Sequence, residues 1–233
     1  MASIGDQITK QYPKSDVLDY DGLSQTLKKL QDLKKTELQA PSEWGRLDNS
    51  DVYVITPRVN GLHLNEIIPK NEGLSIASLW PLVTQIASSL SVAHESGIFH
   101  LNLTPDCIYV VKDENDNESI VITGLGENQF LKSYSSVENK AKADANALAD
   151  IINYALSGHK EAHQDTFNSV ADVLSAYSEK HRAAILVHTD LSTTETPSEN
   201  LTEFGLGRLF ILSAAIAVLG AIALLYYWLL SGS

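Results

Sequence analysis

Residues 209–230 run for 22 positions without a charge. About 20 apolar residues in an α-helix cross the hydrocarbon core of a bilayer. Core helices of globular domains rarely run this long without polar side chains. The run therefore predicts one C-terminal transmembrane helix, with residues 231–233 as a short tail. Arg208 marks its near end. Tyr226, Tyr227 and Trp228 lie near the far end, where amphipathic rings favour the lipid–water interface. Ser213, Ala217 and Ala221 recur at four-residue spacing with Gly220 beside them. Such a stripe suits close packing against a partner transmembrane helix. It also fits the ordinary small-residue content of a lipid-facing helix, and both readings stay open. Residues 1–13 are polar and lack the apolar core of a signal peptide. The expectation is a single-pass, tail-anchored protein with its N-terminal part in the cytoplasm.

That part is acidic. The chain of 233 residues has a formal charge of −12. This argues against nonspecific nucleic-acid binding, in which Lys and Arg neutralise phosphates. It argues equally against electrostatic attachment to anionic lipid. A single cysteine, Cys107, leaves no disulfide framework and no cysteine-based zinc site.

Along the chain, residues 1–20 read as a loose arm or one ragged strand. Asp21 is placed to cap a helix with Leu23, Leu27, Leu30, Leu33 and Leu38 on one face, ended by Pro41. Lys28, Lys29, Lys34 and Lys35 fall mostly on the solvated side. Residues 43–47 and 52–56 read as strands joined by Asp48-Asn49-Ser50 turn chemistry. Residues 78–95 carry Leu79, Leu82, Val83, Ile86, Ala87, Leu90 and Ala93 at helical spacing, and Gly97 stops that helix. Pro81 is tolerated there if it falls in the first turn. Two strands, 108–111 and 120–123, form a hairpin. Its loop opens like a calcium loop from Asp113, but the sixth position is Glu118 instead of Gly and the twelfth is Gly124 instead of Glu. A solvated turn is the better reading. His159 and His163 are four apart, yet Lys160 breaks the zinc-protease pattern. His94 and His100 read as packed or hydrogen-bonded core residues. Residues 167–186 form a last helical region, and 189–208 form a polar, flexible tether.

Residues 97–110 read Gly-Ile-Phe-His-Leu-Asn-Leu-Thr-Pro-Asp-Cys-Ile-Tyr-Val. Helix, Gly, apolar pair, His, then Leu and Pro before an apolar run resembles the catalytic loop of protein kinases, H-R-D-L-x-x-x-N. Other features follow in kinase order. Residues 57–64 resemble the hinge. Thr123-Gly124-Leu125-Gly126 stands where kinases hold D-F-G. Residues 144–158 resemble the central helix of the large lobe, whose Asp ties it to the catalytic loop. For Asp144 two roles remain open, that tie or a surface acid favoured by the helix dipole.

The departures fall on the chemistry. Asn102 replaces the Asp that takes the substrate proton, Leu101 the Arg, and Cys107 the metal-binding Asn. Thr104 stands where Lys is common, and Gly124 replaces the Asp that binds Mg²⁺. His100 is kept. No G-x-G-x-x-G loop and no V-A-I-K strand is read, and the leucine helix has no Glu to pair with a Lys.

The resemblance implies an α+β, reduced kinase-like two-lobe fold with a mainly helical large lobe. The expected domains are an arm (1–20), a kinase-like domain (21–188), the tether (189–208), the membrane helix (209–230) and the tail (231–233). It implies a catalytically inactive, membrane-tethered pseudokinase without a cofactor or a metal, acting as a scaffold for protein partners at the membrane. This plan is similar to the pseudokinase-plus-membrane-helix subunits of bacterial secretion machines. The alternatives are a nucleotide sensor of kinase fold without phosphoryl transfer, an atypical kinase, and a generic tail-anchored helical adaptor.

Overall fold

The computed structural model describes residues 7–159 and 165–192. The chain divides into a compact unit over residues 1–190 and a second over 191–233. The membrane helix expected at 209–230, with Ser213, Ala217, Gly220 and Ala221, lies outside the described residues, as do His163 and most of the tether.

The first unit begins with β1 (Gln7–Tyr12), α1 (Tyr20–Leu33), β2 (Glu43–Arg46) and β3 (Val52–Pro57). The strands form an antiparallel sheet in the order β1-β3-β2. Residues 7–12, expected within a loose arm or one ragged strand, form a strand fully paired with β3, from Gln7 opposite Pro57 to Tyr12 opposite Val52. Asp19, not Asp21, caps α1, accepting a hydrogen bond from the Gly22 amide at 2.9 Å. The helix ends at Leu33, because Lys34 turns left-handed (φ 49°). Leu38 is outside the helix. The backbone around it pairs with Ile122, whose amide donates to the Glu37 carbonyl at 2.8 Å. That tertiary pairing outcompetes a further helical turn.

The second sheet, β4-β5-β6, comprises β4 (Leu62–His63), β5 (Ile108–Lys112) and β6 (Glu118–Ile122). Between β4 and β5 lie α2 (Leu64–Ile67) and α3 (Ile76–Glu95). Ser75 caps α3 by accepting from the Ser78 amide. Pro81 falls in the second turn of α3, not the first. Pro81 is exposed and the helix continues through it. The Asp113 carboxylate accepts from the Asn115 and Asn117 amides, which closes the β5–β6 turn without any metal ligand set.

Helix α4 (Lys140–Ser157) starts four residues before the expected Asp144, capped by Asn139. Helix α5 (Val170–Ser192) runs into the stretch expected to be tether. Leu79, Val83, Ile86 and Leu90 of α3 pack with Leu148, Ile151 and Ile152 of α4 in the main core. Each fully buried side chain of this kind contributes about 1.5–3 kcal/mol. A separate small cluster, Leu23, Leu27, Val52 and Val54, lies under the first sheet. Among the described residues α3 alone is long and apolar enough to cross a membrane, and its apolar positions are buried in this core.

Candidate functional site

The chain leaves α3 through Gly97 and enters a loop in which Leu101 adopts a left-handed backbone (φ 62°). That conformation is costly for a residue with a branched side chain. Asp144 holds it. Fully buried on α4, its carboxylate accepts from the His100 amide at 2.8 Å and the Leu101 amide at 2.6 Å. A third contact comes from His94 Nε2 at 2.9 Å. The residue is therefore an interior clamp on the loop, not a surface acid.

His100 is 1% exposed. Its Nε2–H donates to the Thr123 carbonyl at 2.9 Å, which leaves Nδ1 to accept from the Asn102 amide at 3.3 Å. Burial alone would lower the His100 pKa, but the Cys107 thiol, the Asp144 charge and the Thr123 carbonyl together raise it. Burial would raise the Cys107 thiol, but His100 and Thr104 bring it below the usual thiol value. The Cys107 sulfur lies 3.3 Å from Thr104 Oγ1 and donates to the Asn102 carbonyl at 3.6 Å. The Asn102 side chain is exposed. Its amide cannot take a proton as a carboxylate can.

Gly124 sits beside His100 with φ 77°. A Cβ at that position would lie 3.2 Å from the Lys10 ammonium and 3.9 Å from His100 Nε2. Lys10 comes from β1 and pairs with Glu127, at 3.0 Å and 3.2 Å to its two oxygens. Glu127 is 3% exposed, and the Tyr12 hydroxyl donates to it as well. Burial first, then the Glu127 charge, push the Tyr12 phenol far above its ordinary range. An ammonium therefore fills the space into which an acid at position 124 would project. Among the described residues no group of three or more His, Cys, Asp or Glu side chains is placed to hold a metal ion.

His100, Asn102, Thr104, Cys107 and Gly124 thus surround one loop, clamped from below by Asp144. Lys10, Tyr12 and Glu127 were not singled out from the sequence. Strand β1, in the stretch read as a loose arm or one ragged strand, brings Lys10 and Tyr12 to this loop. This strand immediately precedes α1 and carries Lys10 toward the loop, where kinases carry their Lys on the strand before the same helix. The lysine's partner differs, since α1 offers no Glu and Glu127 supplies the carboxylate from beyond Gly126. The available signal was the alternation Ile8, Lys10, Tyr12 ahead of a helix cap.

The small sheet with one helix, the helical body and the clamped His100 loop make up a protein kinase-like fold. The crystal structure of Rad53 1-466 in complex with AMP-PNP matches with a TM-score of 0.51 at 20% identity, over 70% of this chain and 44% of that one. The Rad53 kinase domain and SCD2 in complex with AMPPNP matches at 0.47 and 18% identity, over 68% of this chain and 60% of that one. A stretch of 84 residues, 36% of this chain, is 25% identical to serine/threonine-protein kinase pkn3 of Myxococcus xanthus. The chain spans 15% of the length of that relative. No protein-family model matches.

Proposed function

We propose that the protein is a membrane-tethered pseudokinase, a kinase-like module that binds protein partners at a membrane and transfers no phosphate. The observation that carries the reading is that Asn102 and Gly124, both at the clamped His100 loop, offer no carboxylate where the resemblance places the proton acceptor and the metal-binding acid. Phosphoryl transfer depends on positioned Mg²⁺ and a carboxylate that receives the substrate proton. Here Gly124 has no side chain where the resemblance places the metal-binding acid, and Asn102 takes the place of the proton acceptor. The tether and the uncharged run at 209–230 then hold the module at the bilayer, on the cytoplasmic side, where the membrane helix is also free to pack with other helices.

A second reading, nucleotide binding without transfer, draws on Lys10 itself. Its ammonium already lies beside the His100 loop and would exchange Glu127 for a phosphate. Thermal unfolding of the full chain in a mild detergent, with and without Mg²⁺–ATP, separates the two. A ligand at about 100 times its Kd stabilises by about 2.7 kcal/mol. The expected result is no shift at millimolar nucleotide. A clear shift would overturn the scaffold-only reading, and a phosphate-release assay would then distinguish a sensor from an enzyme.

A further inference from the structure

One asparagine of the chain is followed by glycine, Asn60 before Gly61. The pair lies between β3, which ends at Pro57, and β4, which starts at Leu62. Asn60 and Gly61 are both exposed, and residues 58–60 belong to no strand or helix. The Asn60 carboxamide hydrogen-bonds to no described residue. The Gly61 amide donates to no loop or turn carbonyl.

Gly61 is required by packing, not by its dihedral angles, since its φ is not left-handed. A Cβ there would lie 2.6 Å from the Val110 carbonyl oxygen and 2.7 Å from Val111 Cγ1. Close approach of β5 thus demands glycine. The same choice leaves the amide after Asn60 without a side chain to shield it.

Two other exposed asparagines precede a small residue, Asn49 before Ser50 and Asn168 before Ser169. The Asn49 carboxamide donates to Asp51 Oδ2 at 2.8 Å and accepts from the Asp51 amide at 3.1 Å. The Ser50 amide donates to the Leu47 carbonyl at 2.8 Å. The Ser169 amide donates to Asp172 Oδ2 at 3.0 Å. In both pairs the following amide is already engaged, and freeing it requires a local opening.

We propose that Asn60–Gly61 is a site of spontaneous modification in the folded chain. The Gly61 nitrogen attacks Asn60 Cγ and the Cγ–Nδ2 bond breaks. Ammonia leaves with the Gly61 amide proton, which closes a succinimide ring. Water then opens the ring at either carbonyl. The product is an aspartate or, with the main chain rerouted through Cγ, an isoaspartate. Either adds a carboxylate near Arg58, and isoaspartate adds a main-chain carbon just before β4, a strand of two residues. The site does not depend on whether the module handles nucleotide.

Ageing of the full chain in a mild detergent tests it, folded and in urea, followed by trypsin and peptide mass spectra. Exchange of NH for O is read at each asparagine. Cleavage after Arg58 and Lys70 puts Asn60 in one peptide with Asn65, which serves as internal reference. In the folded chain Asn60 should convert within about tenfold of its rate in urea, while Asn49 and Asn168 should be slowed more than about tenfold. Conversion should be faster in mildly alkaline than in mildly acidic buffer, and Asn60→Gln should abolish it. The proposal is overturned if folding slows Asn60 as much as Asn49 and Asn168. It is equally overturned if Asn49 and Asn168 convert in the folded chain as fast as in urea.

Discussion

Asp144 satisfies three donors at once, two loop amides and the His94 ring, with no exposure to solvent. Leaving a buried donor unpaired costs about 1–3 kcal/mol. Asp144→Ala strands these donors and also releases the left-handed Leu101. It should lose about 3 kcal/mol or more in denaturant unfolding. Asp144→Asn keeps one acceptor oxygen and should fall between the two. A loss under about 1 kcal/mol for the alanine variant would mean that water or a rearranged loop takes over the carboxylate's role. His100 and Asp144 were legible because each sits in a short pattern of its own, the Gly97–Pro105 loop and the apolar helix that ends at Gly158, and the two patterns follow in kinase-like order. Lys10 and Glu127 are not legible in this way. They are 117 residues apart, and neither sits in a local pattern that demands a partner. Only the folded sheet brings the ammonium over Gly124.

Helix α1 shows where propensity and tertiary packing part. Its leucine spacing is a plain amphipathic signal, but both of its boundaries were displaced. Asp19 and Asp21 are equally good caps by residue type, and the entry angle set by β1 selects the first. At the other end, pairing of residues 37–39 with Ile122 draws the chain out of the helix. Strand β1 could not be told from a loose arm because Ile8 and Tyr12 are its only large apolar residues. Its stability comes from β3. The same helix gives an unusual expectation. Gly→Ala within a helix normally stabilises by about 1 kcal/mol. At Gly22 a methyl group would meet the Asp19 carboxylate that caps the helix, and would lie 2.6 Å from the Phe130 ring. Overpacking of this kind costs about 1–3 kcal/mol. Gly22→Ala should therefore lower the unfolding midpoint of the full chain. A raised midpoint would show that Phe130 can move aside without loss.

For the molecule as a whole, the proposed attachment to a bilayer can be tested by the force that would produce it. Two forces are available, and they predict different behaviour. Electrostatic attachment needs a basic surface and weakens with salt over a Debye length of about 10 Å at 0.1 M. With a net charge of −12, this chain is repelled by an anionic leaflet. Hydrophobic insertion needs length alone. As an α-helix, the 22 uncharged residues at 209–230 would span about 33 Å, against a hydrocarbon core of about 30 Å. The full chain should float with neutral phosphatidylcholine liposomes, and equally well in low and high salt. Deleting residues 209–230 should leave it at the bottom of the gradient with any lipid. Neutral vesicles exclude surface charge as the cause, so flotation there isolates the apolar run. Binding that required anionic lipid and vanished in salt would instead place the contact on exposed lysines such as Lys28, Lys29, Lys34 and Lys35 of the first unit, and the run at 209–230 would lose its role as anchor.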